Sequence, residues 1–187
     1  MRNFLRLASG VDIQPLLLSL YRQQHLWNAL TFRTDFEASP HREASDILLR
    51  LQALDGSSPD KRECVDYQAF AAFPHARRFV YALMAQVEGE RLGRVMFTRL
   101  PPGGQIYPHE DIGASPMHYD HEPYYSRFHL TLQADDKSIF QCEQEYVTMQ
   151  PGDIWWFDNS KTHAVYNDGQ IDRLHLIVDI KCSTAKA

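Results

Sequence analysis

Asp172-Arg-Leu-His-Leu-Ile-Val-Asp179 alternates with a period of two, which puts Arg173, His175, Ile177 and Asp179 on one face of a strand and Leu174, Leu176 and Val178 on the other. Ser126-Arg-Phe-His-Leu-Thr-Leu132 repeats the pattern, setting Arg127, His129 and Thr131 against Phe128, Leu130 and Leu132. Two strands therefore carry basic groups on one face. If that face turned inward, an unpaired guanidinium would be expensive to bury. Solvent-facing edge strands would show the same alternation, so the pattern leaves both readings open.

Outward from these two stretches, short β-branched and aromatic runs are separated by Gly, Pro, Asn and Asp clusters from Arg91 onward. They predict strands near 93–100, 105–109, 125–133, 138–142, 145–149, 153–157, 162–167 and 172–181. Eight short strands suggest a two-sheet jelly roll. Trp155, Trp156 and Phe157 read as core, and Asp158 as a turn cap. Residues 1–90 read as a helical lead-in. Asp12 caps a helix with Pro15 in its first turn and Leu16, Leu17, Leu20 and Tyr21 at helical spacing. A second amphipathic stretch covers about 75–87, with Phe79, Leu83 and Met84 as its core face. A chain of 187 residues fits one domain, 1–187, with the β-core at 91–181.

The composition, 44% hydrophobic and 23% charged, is that of a globular protein. A net charge of −5 with scattered Lys and Arg gives no footprint for nucleic acid or an anionic membrane. No stretch reaches the roughly 20 apolar residues of a membrane span. Cys64, Cys142 and Cys182 form neither a disulfide framework nor a CxxC pair, which fits a reducing cytoplasm. The expected partner is a small molecule or a peptide; nothing in the chain fixes an oligomeric state.

His109-Glu-Asp111, at the end of a β-run behind a Gly-Gly turn, is followed by His163 in a second β-run and then by Arg173. Two imidazoles and one carboxylate on a β-scaffold leave about three octahedral positions open, the way non-heme Fe(II) oxygenases hold their metal. HxD recurs as His118-Tyr-Asp120, in a polar, turn-rich stretch that reads either as a solvated loop or as a lid over a substrate. A dicarboxylate bound beside the metal would explain both arginines, because the guanidinium fork meets carboxylate oxygens in pairs.

Pro102-Gly-Gly-Gln-Ile-Tyr-Pro-His109, Arg127-Phe-His129, Gly152-Asp-Ile-Trp-Trp-Phe-Asp158, His163 and Arg173-Leu-His-Leu-Ile-Val-Asp179 together resemble the aspartyl/asparaginyl β-hydroxylase family of Fe(II)/2-oxoglutarate oxygenases. The resemblance covers roughly 90–181, and more loosely Trp27, Arg33 and Asp46-Ile-Leu-Leu-Arg50. It implies a cupin-like double-stranded β-helix, mainly β with N-terminal helices, with iron on His109 and His163 and 2-oxoglutarate held by Arg173. Thr98 and His129 match positions that help bind this cosubstrate, and Arg127 one near the cosubstrate or substrate carboxylate. The family's namesake lacks the metal carboxylate that Asp111 would supply. The same residue argues against halogenation, which needs that position vacant.

The expected reaction is hydroxylation of an amino-acid side chain, Asp- or Asn-like, in a peptide or a free amino acid, using Fe(II), 2-oxoglutarate and O2. His118, Asp120, His121 and His175 are the expected substrate contacts, with 112–124 closing over the site. A metal cupin acting without 2-oxoglutarate, as a dioxygenase or isomerase, stands as the alternative, with Arg173 as the discriminator. A non-catalytic ligand-binding jelly roll is the third reading.

Overall fold

The computed structural model describes residues 1–53, 64–111 and 125–182. In chain order these form β1 (Phe4–Ala8), α1 (Gln14–Arg22), β2 (Ser45–Gln52), β3 (Cys64–Asp66), α2 (Gln68–Ala71), α3 (Pro74–Gln86), β4 (Gly89–Leu100), β5 (Gln105–His109), β6 (Ser126–Gln133), β7 (Ser138–Cys142), β8 (Glu145–Val147), β9 (Ile154–Phe157), β10 (His163–Asn167) and β11 (Arg173–Cys182). A seven-stranded sheet runs β1-β9-β6-β11-β4-β2-β3 and a four-stranded sheet β5-β10-β7-β8. Every pairing is antiparallel. The fold is the jelly roll, and all eight expected strands are present.

Alternation along β6 and β11 gives the large sheet two different faces. Phe128, Leu130, Leu132, Leu174, Leu176 and Val178 form one core with Val95 and Phe97 of β4 and with Leu16, Leu20, Ala76, Val80 and Leu83 of the helices. The opposite face looks toward the small sheet, and Phe4, Leu100, Trp155 and Phe157 meet Ile106, Phe140, Val147 and Val165 there. At about 25 cal/mol per Å2 of buried apolar area, these two cores supply the main drive to fold. Arg127, His129, Arg173, His175 and Asp179 are buried on that same inner face.

The helical lead-in needs correcting, since residues 1–90 contribute three strands as well as helices. β2 is covered on both sides, Ile47 and Leu49 facing the helices while Leu48 and Leu51 pack with Met96 and Ile177. Its sequence, Ser45-Asp-Ile-Leu-Leu-Arg-Leu-Gln52, therefore has three adjacent apolar residues at its centre and no regular alternation to mark it as a strand. Asp12 accepts the Gln14 N–H at 3.1 Å, but the N-cap of α1 is Ile13, which supplies no side-chain cap. In α1 the buried line is Leu16 and Leu20, and Tyr21 points to solvent. In α3 it is Ala76, Val80 and Leu83, with Phe79 and Met84 at its margin. Asp158 accepts the Ser160 N–H at 3.2 Å, so it is a turn cap.

Candidate active site

β5 and β10 pair with His109 directly opposite His163, which brings the two rings to 4.2 Å between centroids. Gly103, at φ 75°, makes the tight turn that feeds β5 into this register. Asp111 follows β5, tied down by its N–H to the Asn159 carbonyl at 3.2 Å. Its carboxylate oxygens lie 4.0 Å from Nε2 of His109 and 3.8 Å from Nε2 of His163. One ligand atom from each residue falls within 4.8 Å of the others.

Local backbone sets the tautomers. Nδ1 of His109 donates to the Tyr107 carbonyl at 2.7 Å and Nδ1 of His163 to the Lys161 carbonyl at 2.9 Å. Each N–H is thereby used two residues upstream and each Nε2 lone pair is left facing Asp111, the orientation a metal-binding histidine needs. Nε2 of His109 is buried with no hydrogen-bond partner. Burial lowers the His163 pKa to about 4, against the opposing pull of Asp111, and burial also lowers that of His109. Burial alone would raise the Asp111 pKa, but Arg127 and the two histidines outweigh it and hold the carboxyl well below its ordinary range. Two neutral imidazoles and an ionised carboxylate are the protonation states a divalent cation takes up. The residues present fit such an ion.

Arg127 belongs to this corner. Its Nη1 donates to Asp111 Oδ2 at 2.6 Å, and Nε and Nη2 form a fork on Asp179 at 2.7 and 2.9 Å. Asp179 stands directly opposite Arg127 across the β6–β11 pair. The resemblance places Arg127 near a cosubstrate or substrate carboxylate; in the structure each of its three nitrogens donates to one of the chain's own carboxylates, and it orients Asp111.

Arg173 makes the contrast. It is 2% exposed, has no carboxylate partner among the described residues, and reaches only Nδ1 of His175 at 3.4 Å. Burial without compensation lowers its pKa to about 9. Both ring nitrogens of His129, Nε2 of His175, Thr131 Oγ1 and Ser138 Oγ are also buried without hydrogen-bond partners. Buried polar groups are nearly always satisfied, so this many orphans beside an unpaired guanidinium fit an anion with several acceptor oxygens. Phe140 sits between the two corners, its ring 6.1 Å from that of His163 and 5.6 Å from Cζ of Arg173.

Thr98, expected beside the cosubstrate, donates instead to Asp46 Oδ1 at 2.8 Å and receives Nη2 of Arg33 at 3.4 Å. His175 lies directly opposite Thr98 and, on its other side, opposite Thr131. It therefore belongs to the Arg173 corner. His118, Asp120 and His121, and the whole of 112–124, lie outside the described residues. The sequence reading did not find His41, whose ring is 4.7 Å from that of His109.

The model of the aspartyl/asparaginyl beta-hydroxylase family matches residues 59–182. The chain belongs to that family. Among solved structures it resembles a prolyl-4-hydroxylase from Pseudomonas putida (15% identity, 97% of this chain and 93% of that one, TM-score 0.56). It is similarly close to a viral collagen prolyl hydroxylase from Paramecium bursaria Chlorella virus 1 (11% identity, 97% of each chain, TM-score 0.56). A 2OG-Fe(II) oxygenase family oxidoreductase from Burkholderia pseudomallei aligns over 74% of this chain and 67% of its own (10% identity, TM-score 0.52). At these identities the likeness is one of fold. No curated protein sequence matches the chain. No helix among the described residues is long and apolar enough to cross a membrane.

Proposed function

We propose that the chain is an Fe(II)- and 2-oxoglutarate-dependent dioxygenase that hydroxylates an amino-acid side chain, Asp- or Asn-like, in a free amino acid or a peptide. The observation that carries the reading is the adjacency of two incomplete sites: a His109–Asp111–His163 cluster suited to a metal, and an unpaired buried Arg173 with orphan donors suited to a dicarboxylate. Together, iron and 2-oxoglutarate supply the oxidation, one O2 being consumed as 2-oxoglutarate becomes succinate and CO2 and the substrate C–H becomes C–OH.

The protein's own residues do the positioning. Arg127, braced by Asp179, holds Oδ2 of Asp111, the oxygen 3.8 Å from His163 Nε2, and so fixes Oδ1 at 4.0 Å from His109 Nε2. Arg173, with His129 and His175 beside it, would anchor the far carboxylate of 2-oxoglutarate. His129 and His175 are accordingly assigned to the cosubstrate rather than to a substrate carboxylate. A metal cupin without 2-oxoglutarate gives Arg173 nothing to bind. The three free cysteines agree with action in a reducing cytoplasm.

Anaerobic titration of metal-free protein with Co(II) and then 2-oxoglutarate tests the cofactors. His163→Ala should lower metal affinity by more than about 100-fold, beyond the range for outer-sphere changes. His118→Ala should leave it intact, and the reverse outcome would move the site to the second HxD. A succinate-release screen with common amino acids and Asp- or Asn-containing peptides, scored by one added oxygen in the product, tests the substrate. Coupled turnover only with a nucleobase, lipid or sugar would refute the substrate class.

A further inference from the structure

We propose that Arg33 and His41 form the subsite that holds the substrate's carboxylate beside the metal ligands. The inference rests on the amino-acid hydroxylase reading and names the group that is recognised.

Residues 27–44, between α1 and β2, contain no regular element beyond turns, yet they are pinned at both ends. Asn28 donates its N–H to the Asp46 carbonyl at 2.9 Å, and its side-chain oxygen accepts the Asp46 N–H at 3.1 Å. At the far end, Tyr107 N–H donates to the Pro40 carbonyl at 2.8 Å and Gln105 N–H to Glu43 at 2.9 Å, and the Tyr107 hydroxyl also donates to Glu43. In the middle, Ser39 Oγ donates to the Arg33 carbonyl at 2.6 Å. The segment is thus a fixed wall laid along β5, the strand that ends in His109.

Two side chains on this wall have uncommitted donors. The ring of His41 stands edge-on to that of His109 at 82°, and its Nδ1 is shut off from solvent with no hydrogen-bond partner among the described residues. Arg33 spends Nε and Nη2 on the two oxygens of Asp46 at 2.7 and 2.9 Å, which fixes its plane and leaves Nη1 without a partner among the described residues. Ser39 ties the two residues together, its Oγ accepting the His41 N–H at 3.1 Å while donating to the Arg33 carbonyl. Nη2 of Arg33 also reaches Thr98 Oγ1 at 3.4 Å, directly across from His175, which puts the guanidinium beside the inner face of the large sheet.

Among the described residues of the inner face, the other basic groups have roles already. Arg127 gives three hydrogen bonds to Asp111 and Asp179, and Arg173 with His129 and His175 forms the corner suited to the cosubstrate. A substrate carboxylate entering beside His109 would meet Arg33 Nη1 and a ring N–H of His41. The guanidinium and the imidazole donor match its two oxygens. Asp46, by locking the Arg33 fork, positions this donor before any ligand arrives.

The test uses Co(II)-substituted, 2-oxoglutarate-saturated protein under anaerobic conditions, titrated with each common L-amino acid and with its carboxamide while the visible Co(II) band is read. At least one acid should perturb the band and bind roughly 30-fold or more tightly than its amide, the scale for a buried charge contact. In His41→Phe and Arg33→Gln the acid should fall toward the level of its amide, while 2-oxoglutarate affinity stays within about threefold. His41→Phe touches none of the Arg33–Asp46–Thr98 contacts, so it remains informative if the Arg33 variant folds poorly. Equal binding of acid and amide, preference retained in both variants, loss of 2-oxoglutarate affinity instead, or no amino acid perturbing the band would each overturn the subsite. Succinate release is measured separately. If it is seen with a carboxyl-blocked peptide, the hydroxylase reading survives the loss of this proposal; its absence with every amino acid and peptide removes the reading itself.

Discussion

Arg127 on β6 and Arg173 on β11 are the same residue type on neighbouring strands, both buried on the inner face of the large sheet, and they are in opposite energetic states. Arg127 gives three hydrogen bonds to two carboxylates; Arg173 gives one long contact to an imidazole and meets no carboxylate among the described residues. Burial favours loss of charge in both, but two carboxylates outweigh it at Arg127 and raise that pKa, whereas at Arg173 it acts alone. A buried charge whose partners come from its own chain is structure. One whose partner is missing marks where a ligand completes the fold.

The comparison breaks most sharply at Arg127. Replacing it with Met leaves Asp111 and Asp179 as buried carboxylates without their shared cation, and breaking a buried pair from one side costs about 3–5 kcal/mol. Urea unfolding of metal-free Arg127→Met should show that loss, and Co(II) affinity should fall roughly 10–100-fold because Asp111 is no longer oriented. A variant as stable as the parent, with metal affinity unchanged but 2-oxoglutarate affinity lost, would return Arg127 to the cosubstrate.

Arg173 should behave in the opposite sense. Arg173→Met removes an unpaired buried charge, so metal-free, ligand-free protein should be as stable as the parent or more stable in the same urea assay. Its 2-oxoglutarate affinity should fall by roughly 30-fold or more, with Co(II) affinity unchanged. Destabilisation comparable to that of Arg127→Met would show that Arg173 has an internal partner and would erase the contrast.

Acidification probes the same two corners with a smaller effect. His129 and His175 are held well below their ordinary pKa, by burial first and the Arg173 charge next, so they stay neutral in the folded protein while the unfolded chain protonates near pH 6.5. The unfolded state then binds more protons, and stability falls as pH drops through about 6.5, by up to about 1.4 kcal/mol per pH unit for each histidine. Asp111 has its pKa depressed too, so its contribution holds above the ordinary carboxylate pKa and is lost only under strong acid. Urea midpoints of metal-free protein from about pH 7.5 to about pH 5 should therefore decline, and less steeply in His129→Phe. A flat profile would mean that these histidines carry partners.

Much of this contrast is legible in the sequence, because alternation is a backbone property. The runs around Arg127 and Arg173 announce which face is polar without any knowledge of the partner strand. The pairing of Arg127 with Asp179 is not, since it depends on the register between β6 and β11, forty and more residues apart. β2 escapes because a strand covered on both sides loses its period. Arg33 and His41 escape for another reason: they lie on a wall without periodic structure, and His41 meets a residue sixty-eight positions away. The metal trio is readable because an HxD, a later His and a following Arg keep their order along the chain.

The smallest effect separates a structural from a ligand-binding role at Thr98, a second residue, after Arg127, on which the family resemblance and the geometry differ. Its hydroxyl donates to Asp46 Oδ1 at 2.8 Å, and Asp46, 2% exposed, is also held by the Arg33 fork. Thr98→Val keeps the β-branched shape on β4 and removes the hydrogen bond to the buried Asp46 together with the longer contact, 3.4 Å, from Arg33 Nη2. The expected cost is about 1.5–3 kcal/mol in urea unfolding. The two Arg33 bonds to Asp46 remain, so the lower end is expected. Because the hydroxyl points at Asp46 rather than at the Arg173 corner, 2-oxoglutarate affinity should move less than about threefold, far below the change in Arg173→Met. A tenfold loss of 2-oxoglutarate affinity with unchanged stability would place Thr98 in the cosubstrate pocket and join the two corners into one.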